Sequence, residues 1–490
     1  MKLYHSLKEI SSSNLILVPY IIGEEKKLNK FFSSLHPEKD STLMNCIQEF
    51  IHHHKPDSKK YLDQYFGKQK IILIGLETNF NYLENSLAAR LAVYRSKLKS
   101  ENTAVSIFLP SYLTKKTVSA LCNGLALAGM NIDYYKKERN KFSLSLSALT
   151  EAKLKHDDAI KEGVELAETQ EQICHLVNMP ANEKNPKFMA DWIQERFDKR
   201  NVLVEIIEGE ELVHHNLGAL IGVGKGSQTP PCLVILKYKP KQKGRTKHIG
   251  LVGKGVTFDT GGISLKNPLN MHLMKSDMGG AAAVLGALDI IEKLKLNIQV
   301  TAVIPFAENA IGSAAYRPGD ILKAYNGKSI EVIDTDAEGR LILADALAYM
   351  VAKFKPDHVI DLATLTGSVI MTLGSKAAGL FCNDDKLIKN LLKAGDATGE
   401  KLWPLPIWKD YEDEMSSDIA DIKNLSTKPV AGAITAAKFL QAFINDHPSW
   451  AHIDIAGMAM TENDFSKFRS ATSYGVLLLK QFVSELAKSK

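Results

Sequence analysis

Three short apolar runs stand in the first quarter of the chain: Leu15-Ile-Leu-Val-Pro19, Lys70-Ile-Ile-Leu-Ile-Gly75 and Ala104-Val-Ser-Ile-Phe-Leu109. Their length and their polar flanks predict buried strands. Between the last two, Leu83, Leu87, Leu91, Tyr94 and Leu98 repeat at helical spacing. A second helical stretch is expected from about Thr150 to Leu176, with Thr150 as its cap and Ile160, Val164 and Ile173 as a sparse apolar stripe. Further on, His248-Ile-Gly-Leu-Val252 reads as a buried strand that empties into a Gly-rich loop carrying both Lys254 and Asp259. Gly279 to Leu285 reads as a helix start. Lys328 to Ile333 alternates like a strand, and Leu341 to Phe354 returns to helical period with Leu343, Leu347 and Met350 on one face. This succession predicts an α/β fold with two domains. A smaller N-terminal αβ domain (1–149) is followed by a helical connector (150–181) and by a larger C-terminal domain (182–490) whose mixed central sheet is flanked by helices.

Composition changes that picture little. The chain has 490 residues, 45% hydrophobic and 24% charged, values ordinary for a globular protein that dissolves in water. No apolar stretch approaches the ~20 residues that cross a bilayer, and Met1-Lys2 followed by His5, Lys8 and Glu9 does not read as a signal peptide. Cys46, Cys122, Cys174, Cys232 and Cys382 are scattered and odd in number, the pattern of reduced cysteines in a cytoplasmic protein. His52-His53-His54 ends an amphipathic stretch just before Pro56 and reads as a cationic helix terminus rather than a metal site. The basic run Lys237 to Lys247 joins two strand-like segments and reads as a solvated hairpin loop, with a nucleic-acid contact as the lesser reading.

The chemistry is concentrated in three Gly-flanked segments: Gly253-Lys-Gly-Val-Thr-Phe-Asp259, Lys275-Ser-Asp-Met-Gly-Gly280 and Asp334-Thr-Asp-Ala-Glu-Gly-Arg-Leu341. Carboxylates and lysines crowd there with no His or Cys at ligand spacing. Such a hard, oxygen-rich set suits two divalent cations, which activate water and polarise a carbonyl or phosphoryl oxygen, so a metal-dependent hydrolase is expected. If the extended backbone continues past Ile333, Asp336 and Glu338 project to one side. Asp277, just before a helix start, reads alone either as an N-cap or as a ligand, and its neighbours favour the ligand. The lysine in Gly-Lys-Gly lacks the Ser/Thr and spacer of a phosphate-binding loop.

These segments resemble the leucyl (cytosol) aminopeptidase family of two-metal exopeptidases, whose signature is the same octapeptide with Asn in first place. Gly218-Ala-Leu-Ile-Gly-Val-Gly224, Pro318-Gly-Asp320, Asp361-Leu-Ala-Thr-Leu-Thr-Gly367 and Trp450-Ala-His-Ile-Asp-Ile-Ala-Gly457 extend the resemblance in order. Nothing before about Asn182 carries it on motifs. The resemblance makes 182–490 the catalytic metallopeptidase domain. It implies a tight metal site of Lys254, Asp259, Asp277 and Glu338 and an exchangeable one of Asp259, Asp336 and Glu338. Lys266 would stabilise the oxyanion, and Arg340 would hold a bicarbonate acting as general base. Met274, Thr364, Gly367 and Ala456 would line the pocket for the first side chain, and Leu365 would contact substrate through its backbone.

Two divalent ions would balance the four carboxylates, leaving Lys266 and Arg340 to favour an anionic intermediate. Ligation by Lys254 demands a neutral amine, which costs roughly 4 to 5 kcal/mol against an ordinary lysine pKa of ~10.4. Asp334 departs from the family's Asn and adds a negative charge nearby, which is expected to alter metal affinity or the preferred metal. The implied enzyme is a cytoplasmic aminopeptidase, a homohexamer acting on peptides with a free N-terminus and preferring leucine or other apolar residues. Zinc or manganese is the first expectation for its metals, with magnesium or cobalt compatible. A DNA-binding architectural or regulatory protein on the same fold, or a two-metal phosphoesterase, are the alternatives.

Overall fold

The apolar runs pair side by side, as their patterning requires. A computed structural model describes residues 1–4, 14–22, 26–27, 62–66, 69–77, 79–96, 103–138, 143–150, 156–241 and 246–488. Its contacts divide into two units, Met1–Glu171 and Gln172–Lys490, and the division falls inside the helix Asp157–Asn178.

The first unit is built on strands β1 (Lys2–Tyr4), β2 (Leu15–Ile21), β3 (Leu62–Phe66), β4 (Gln69–Leu76), β5 (Thr103–Leu109) and β6 (Leu144–Thr150). Their order is β1-β6-β5-β2-β4-β3, parallel except for β3 against β4. Leu15, Leu17, Ile72, Ile74, Val105 and Ile107 form the core with Val118, Leu121 and Leu125 of the helix Lys115–Leu127. The expected helix at Tyr82–Arg95 is present, started by Asn81, whose Oδ1 accepts the Glu84 N–H at 3.1 Å. Its apolar stripe is nonetheless turned outward: Leu83, Leu87 and Tyr94 are exposed, and only Leu91 is buried. Leu98 lies outside the described residues. The buried face instead carries Tyr82, Asn85, Ser86, Ala89, Ala92 and Val93. Close approach explains the inversion. A Cβ on Gly124 would lie 1.8 Å from the Ser86 carbonyl oxygen, so the helices cross closely at Ser86 and leave no room for a larger residue at position 124. Ser86 Oγ donates to Asn123 Oδ1 at 2.7 Å, and the Tyr82 and Ser119 hydroxyls bond at 3.0 Å. Thr150 ends β6 rather than capping a helix, since the next helix begins at Asp157.

The second unit contains β7 (Val202–Glu208), β8 (Cys232–Tyr238), β9 (His248–Gly253), β10 (Gly255–Asp259), β11 (Gln299–Asn309), β12 (Ile321–Lys323), β13 (Ser329–Glu331), β14 (His358–Ala363), β15 (Ala378–Cys382), β16 (Leu402–Pro404), β17 (Ile422–Lys423) and β18 (Trp450–Asp454). The main sheet runs β16-β15-β18-β14-β9-β11-β8-β7, with β10 also paired to β11. Its centre, β18-β14-β9-β11, is parallel and its flanks carry antiparallel pairs. This is the expected mixed sheet between helices. A Cβ on Gly250 would strike Met350 of the helix Glu338–Phe354, whereas one on Gly253 would strike Ala281 of the helix Gly279–Lys293. Three positions apart on one strand, those two glycines face opposite sides, so the helices cover opposite faces.

Three local expectations are corrected. The run after β9 is not a loop: Lys254 sits at the joint between two strands, and Asp259 ends β10 opposite Asn309. The strand expected to reach Ile333 stops at Glu331 in a separate sheet, β12-β13-β17, and a turn at Thr335–Asp336 follows. The basic run is no hairpin, because β11 lies between β8 and β9. Residues 242–245 of that run, together with His52, His53, His54 and Cys46, lie outside the described residues. Cys122, Cys174, Cys232 and Cys382 are free and buried. No helix among the described residues is long and apolar enough to cross a membrane.

Candidate active site

The site gathers where the parallel strands end, the crevice at which α/β sheets commonly bind ligands. Lys254, directly after β9, is 2% exposed and reaches three segments at once. Its Nζ donates to Asp277 at 2.7 Å, to Glu338 Oε1 at 2.9 Å and to the Thr364 carbonyl at 2.8 Å. Asp277 does not cap the helix Gly279–Lys293, whose first N–H groups receive no side-chain cap; its Oδ1 instead also accepts the Thr364 hydroxyl at 2.8 Å. Glu338 is the first residue of its helix, where the exposed N–H dipoles favour a carboxylate.

Lys266 centres the other half of the cluster. Its Nζ lies 2.9 Å from Asp259 Oδ2 and pairs with Asp336 Oδ1. Asp259 Oδ1 accepts from Gly261 N at 2.9 Å and from Asn309 Nδ2 at 2.8 Å. Asn309 is fully buried and donates also to the Thr335 carbonyl at 3.0 Å, which Tyr316 reaches at 2.8 Å. Thr335 Oγ1 donates to the Gly261 carbonyl at 2.6 Å and accepts Ser264 N at 2.8 Å, so the Lys266 loop and the Asp336 turn are fastened together. Asp336 and Glu338 therefore converge through this turn and not through strand alternation. The Asp334 carboxylate caps the turn, its Oδ1 accepting Asp336 N at 2.8 Å. An Asn would accept the same bond.

Four carboxylates facing two ammonium groups leave two excess negative charges, and counting Arg340 still leaves one. Burial pulls the Lys254 amine down, but Asp277, Glu338 and Asp259 outweigh it and hold the amine above its ordinary value. Lys266 is raised by the same balance, with Asp259, Glu338 and Asp336 opposing burial. Burial pushes Asp336 up to about 7, helped by Asp259 and Glu338 and resisted by Lys266. Burial also raises Asp277 and Asp259, whereas Lys254 and Lys266 overcome burial and hold Glu338 low. An anionic excess of this kind calls for added cations. Asp259, Asp336 and Glu338 can each offer an oxygen with all three within 4.8 Å of one another, and Asp277 and Lys254 adjoin them. The donor set fits hard divalent ions.

Arg340 is the third residue of the same helix and is buried. Its Nη1 donates to the Asn424 carbonyl at 2.8 Å, while Nε has no hydrogen-bond partner among the described residues. Burial lowers its pKa to about 10 against the pull of Glu338, Asp454 and Asp334, which leaves it cationic at neutral pH. Asn424 also accepts from Ile333 N at 2.7 Å and donates to the Asp334 carbonyl at 2.7 Å. Thr364, Leu365 and Gly367 follow β14, and Ala456 follows β18, the adjacent strand. Met274 sits on the short 3₁₀ helix Met271–Ser276 and is half-buried. Asn309, Tyr316, Thr335, Asn424 and Asp454 add to the expected set; Thr335 lies inside the octapeptide and Asp454 inside the segment Trp450–Gly457, whereas Asn309, Tyr316 and Asn424 lie outside every segment singled out above.

Residues 172–480 match the cytosol aminopeptidase family, catalytic domain. The cytosol aminopeptidase of Rickettsia prowazekii (strain Madrid E) is 36% identical over 508 aligned positions, covering 98% of each chain. The probable cytosol aminopeptidase of Rickettsia canadensis (strain McKiel) is 39% identical over 91% of this chain and 94% of its own. Among solved structures, leucyl aminopeptidase from Trypanosoma cruzi superposes with a TM-score of 0.83 at 27% identity, covering 99% of this chain and 96% of the other. The bottromycin maturation enzyme BotP in complex with Mn gives 0.82 at 28% identity, over 97% and 100%.

Proposed function

The chain belongs to the cytosol aminopeptidase family and is a peptidase; on that premise we propose that it removes the N-terminal residue from peptides, preferring leucine or another apolar residue. The observation that carries the reading is the convergence of Lys254, Asp259, Asp277, Asp336 and Glu338 around an uncompensated negative charge. In the proposal these five residues hold two divalent cations, for which manganese is supported by the Mn complex of BotP and zinc is equally suited to the donors. When bound, such ions polarise the scissile carbonyl and lower the pKa of water.

The chain's own groups do the rest. Lys266 presents an ammonium beside Asp259 and Asp336, placed to stabilise negative charge on the substrate's carbonyl oxygen. Arg340 keeps donors unspent within a buried setting, which suits a planar anion such as bicarbonate held as general base. Met274, Thr364, Gly367 and Ala456 shape the pocket for the first side chain, and the backbone at Leu365 aligns the peptide. A homohexamer working in the cytoplasm belongs to the same proposal, and light scattering on the purified protein tests the assembly.

A release assay tests the activity. Leucine anilide should be cleaved, its N-acetyl derivative and a phosphate monoester should not. Equal turnover of the acetylated anilide would overturn the exopeptidase reading. The family assignment gives no support to the phosphoesterase or DNA-binding alternatives.

A further inference from the structure

Asp454 ends β18, is fully buried, and pairs in register with Ala363 at the end of β14. Its carboxylate takes three hydrogen bonds. Oδ1 accepts Leu365 N at 3.1 Å and Ala456 N at 3.2 Å, and Oδ2 accepts the Thr366 hydroxyl at 2.7 Å. Every one of these donors lies on the two segments that leave adjacent parallel strands, and those segments carry Thr364, Leu365, Gly367 and Ala456. Thr366 Oγ1 in turn accepts Val369 N at 3.1 Å and so starts the helix Gly367–Leu373. Two residues before Thr366, Thr364 gives its carbonyl to Lys254 and its hydroxyl to Asp277. A single carboxylate thus joins both walls of the pocket, and through Thr364 joins them to the lysine-carboxylate centre. The platform below is itself braced: Asp361 accepts from Trp450 Nε1 at 2.8 Å and bonds His452 Nδ1 at 2.5 Å.

We infer that Asp454 is the positioning residue that holds the 364–367 and 455–456 segments in register, and so sets which N-terminal side chain is accepted. The inference rests on the aminopeptidase reading above. Its physical basis is that a carboxylate accepts several bonds and donates none, so it fixes three donors at once. An amide in its place turns one edge into a donor, which faces either the Thr366 hydroxyl or the backbone N–H groups of Leu365 and Ala456. The segments would then separate by a small displacement, felt first in the fit of the side chain and only afterwards in the chemistry.

The test uses the full chain as Asp454→Asn, Thr366→Val and Thr366→Ser, assayed on the anilides of leucine, methionine and alanine. Asp454→Asn and Thr366→Val should raise KM for leucine anilide roughly tenfold, the loss expected from one charge-assisted bond. The change in kcat should be smaller, and the leucine-to-alanine ratio of kcat/KM should contract by a similar factor. Metal content per chain should equal the parent's, and Thr366→Ser, which keeps the hydroxyl, should behave as the parent. A uniform fall in kcat on all three anilides, with KM and the ratio unchanged, would overturn the inference by reducing Asp454 to a folding role. So would a Thr366→Ser variant as impaired as Thr366→Val. Where Asp454→Asn does not fold, the Thr366 pair decides alone. Failure of the parent to cleave any free-amine anilide would instead sink the aminopeptidase reading, and the parent's own assay reports that separately.

Discussion

The two halves of the site use the same chemistry on different scaffolds. Lys254, Asp277 and Glu338 are set on a strand joint and on residues at or next to helix starts, and their side chains are 3%, 9% and 2% exposed. Lys266 and Asp336 stand on a glycine-bent loop and a turn, and their side chains are 22% and 35% exposed, with only Asp259 buried as deeply as the first group. Regular elements hold their donors with packed backbone on both sides, as Gly339 shows: a Cβ there would come within 2.3 Å of the Lys254 side chain. The loop half is held by side chains such as Thr335 and Asn309. The first half is thus the more buried and the second the more open to solvent.

The largest effect that could break this contrast is metal removal. Exhaustive chelation should abolish peptidase activity and manganese or zinc should restore it; graded chelation should pass through about one ion per chain, because the halves differ in exposure. Full activity in a preparation free of metal would end the two-metal reading. Next comes Glu338→Ala, which strips the carboxylate nearest both halves. Both proposed cation positions would lose an oxygen donor, so turnover should fall to a small fraction of the parent's and metal analysis should count fewer ions than in the parent. Normal occupancy would remove Glu338 from the ligand set.

Lys266→Ala sharpens the comparison from the loop side. It should lower kcat roughly a hundred- to a thousandfold, the loss typical of an oxyanion donor, with KM and metal content little changed. Loss of both ions in that variant would make Lys266 a structural counter-charge instead. Arg340→Ala should abolish any activation by bicarbonate while both metals and substrate binding persist, measured by titrating bicarbonate into depleted enzyme. A response equal to the parent's would remove the base-positioning role from Arg340 without touching the peptidase assignment. The smallest effect belongs to Asp334→Asn. Both side chains accept the Asp336 N–H, so activity and stability should stay within about twofold of the parent. A large change in metal preference would show that the extra charge matters beyond the turn.

Much of this was legible along the chain, but unevenly. Runs of buried strand at 15–21, 69–76 and 103–109 were visible because burial on both faces leaves a continuous apolar signature. The Tyr82–Arg95 helix was legible as a helix and misleading as to its face. Its leucines at 83 and 87 point outward while Ser86 meets the neighbouring helix at Gly124, where the backbones approach too closely for a larger side chain. Hydrophobic period reports that a segment is helical; the space left by its neighbour decides which side is buried. Asp336 and Glu338 were grouped correctly through a wrong intermediate, since strand alternation was replaced by a turn that Thr335, Asn309 and Asp334 hold in shape.

The donor chemistry was readable along the chain: carboxylates and amines with no soft ligand, gathered in three Gly-flanked segments. Tertiary structure alone decided which distant polar residues serve the site. Asn309 meets Thr335 across 26 positions, Asn424 meets Arg340 across 84, and Asp454 meets Leu365 across 89. Nothing around Asn309 or Asn424 marks them, and the run around Asp454 marks a segment without saying which partners its carboxylate takes, because contacts between distant segments depend on sheet order and register, and these are settled by packing of the whole core rather than by any local pattern.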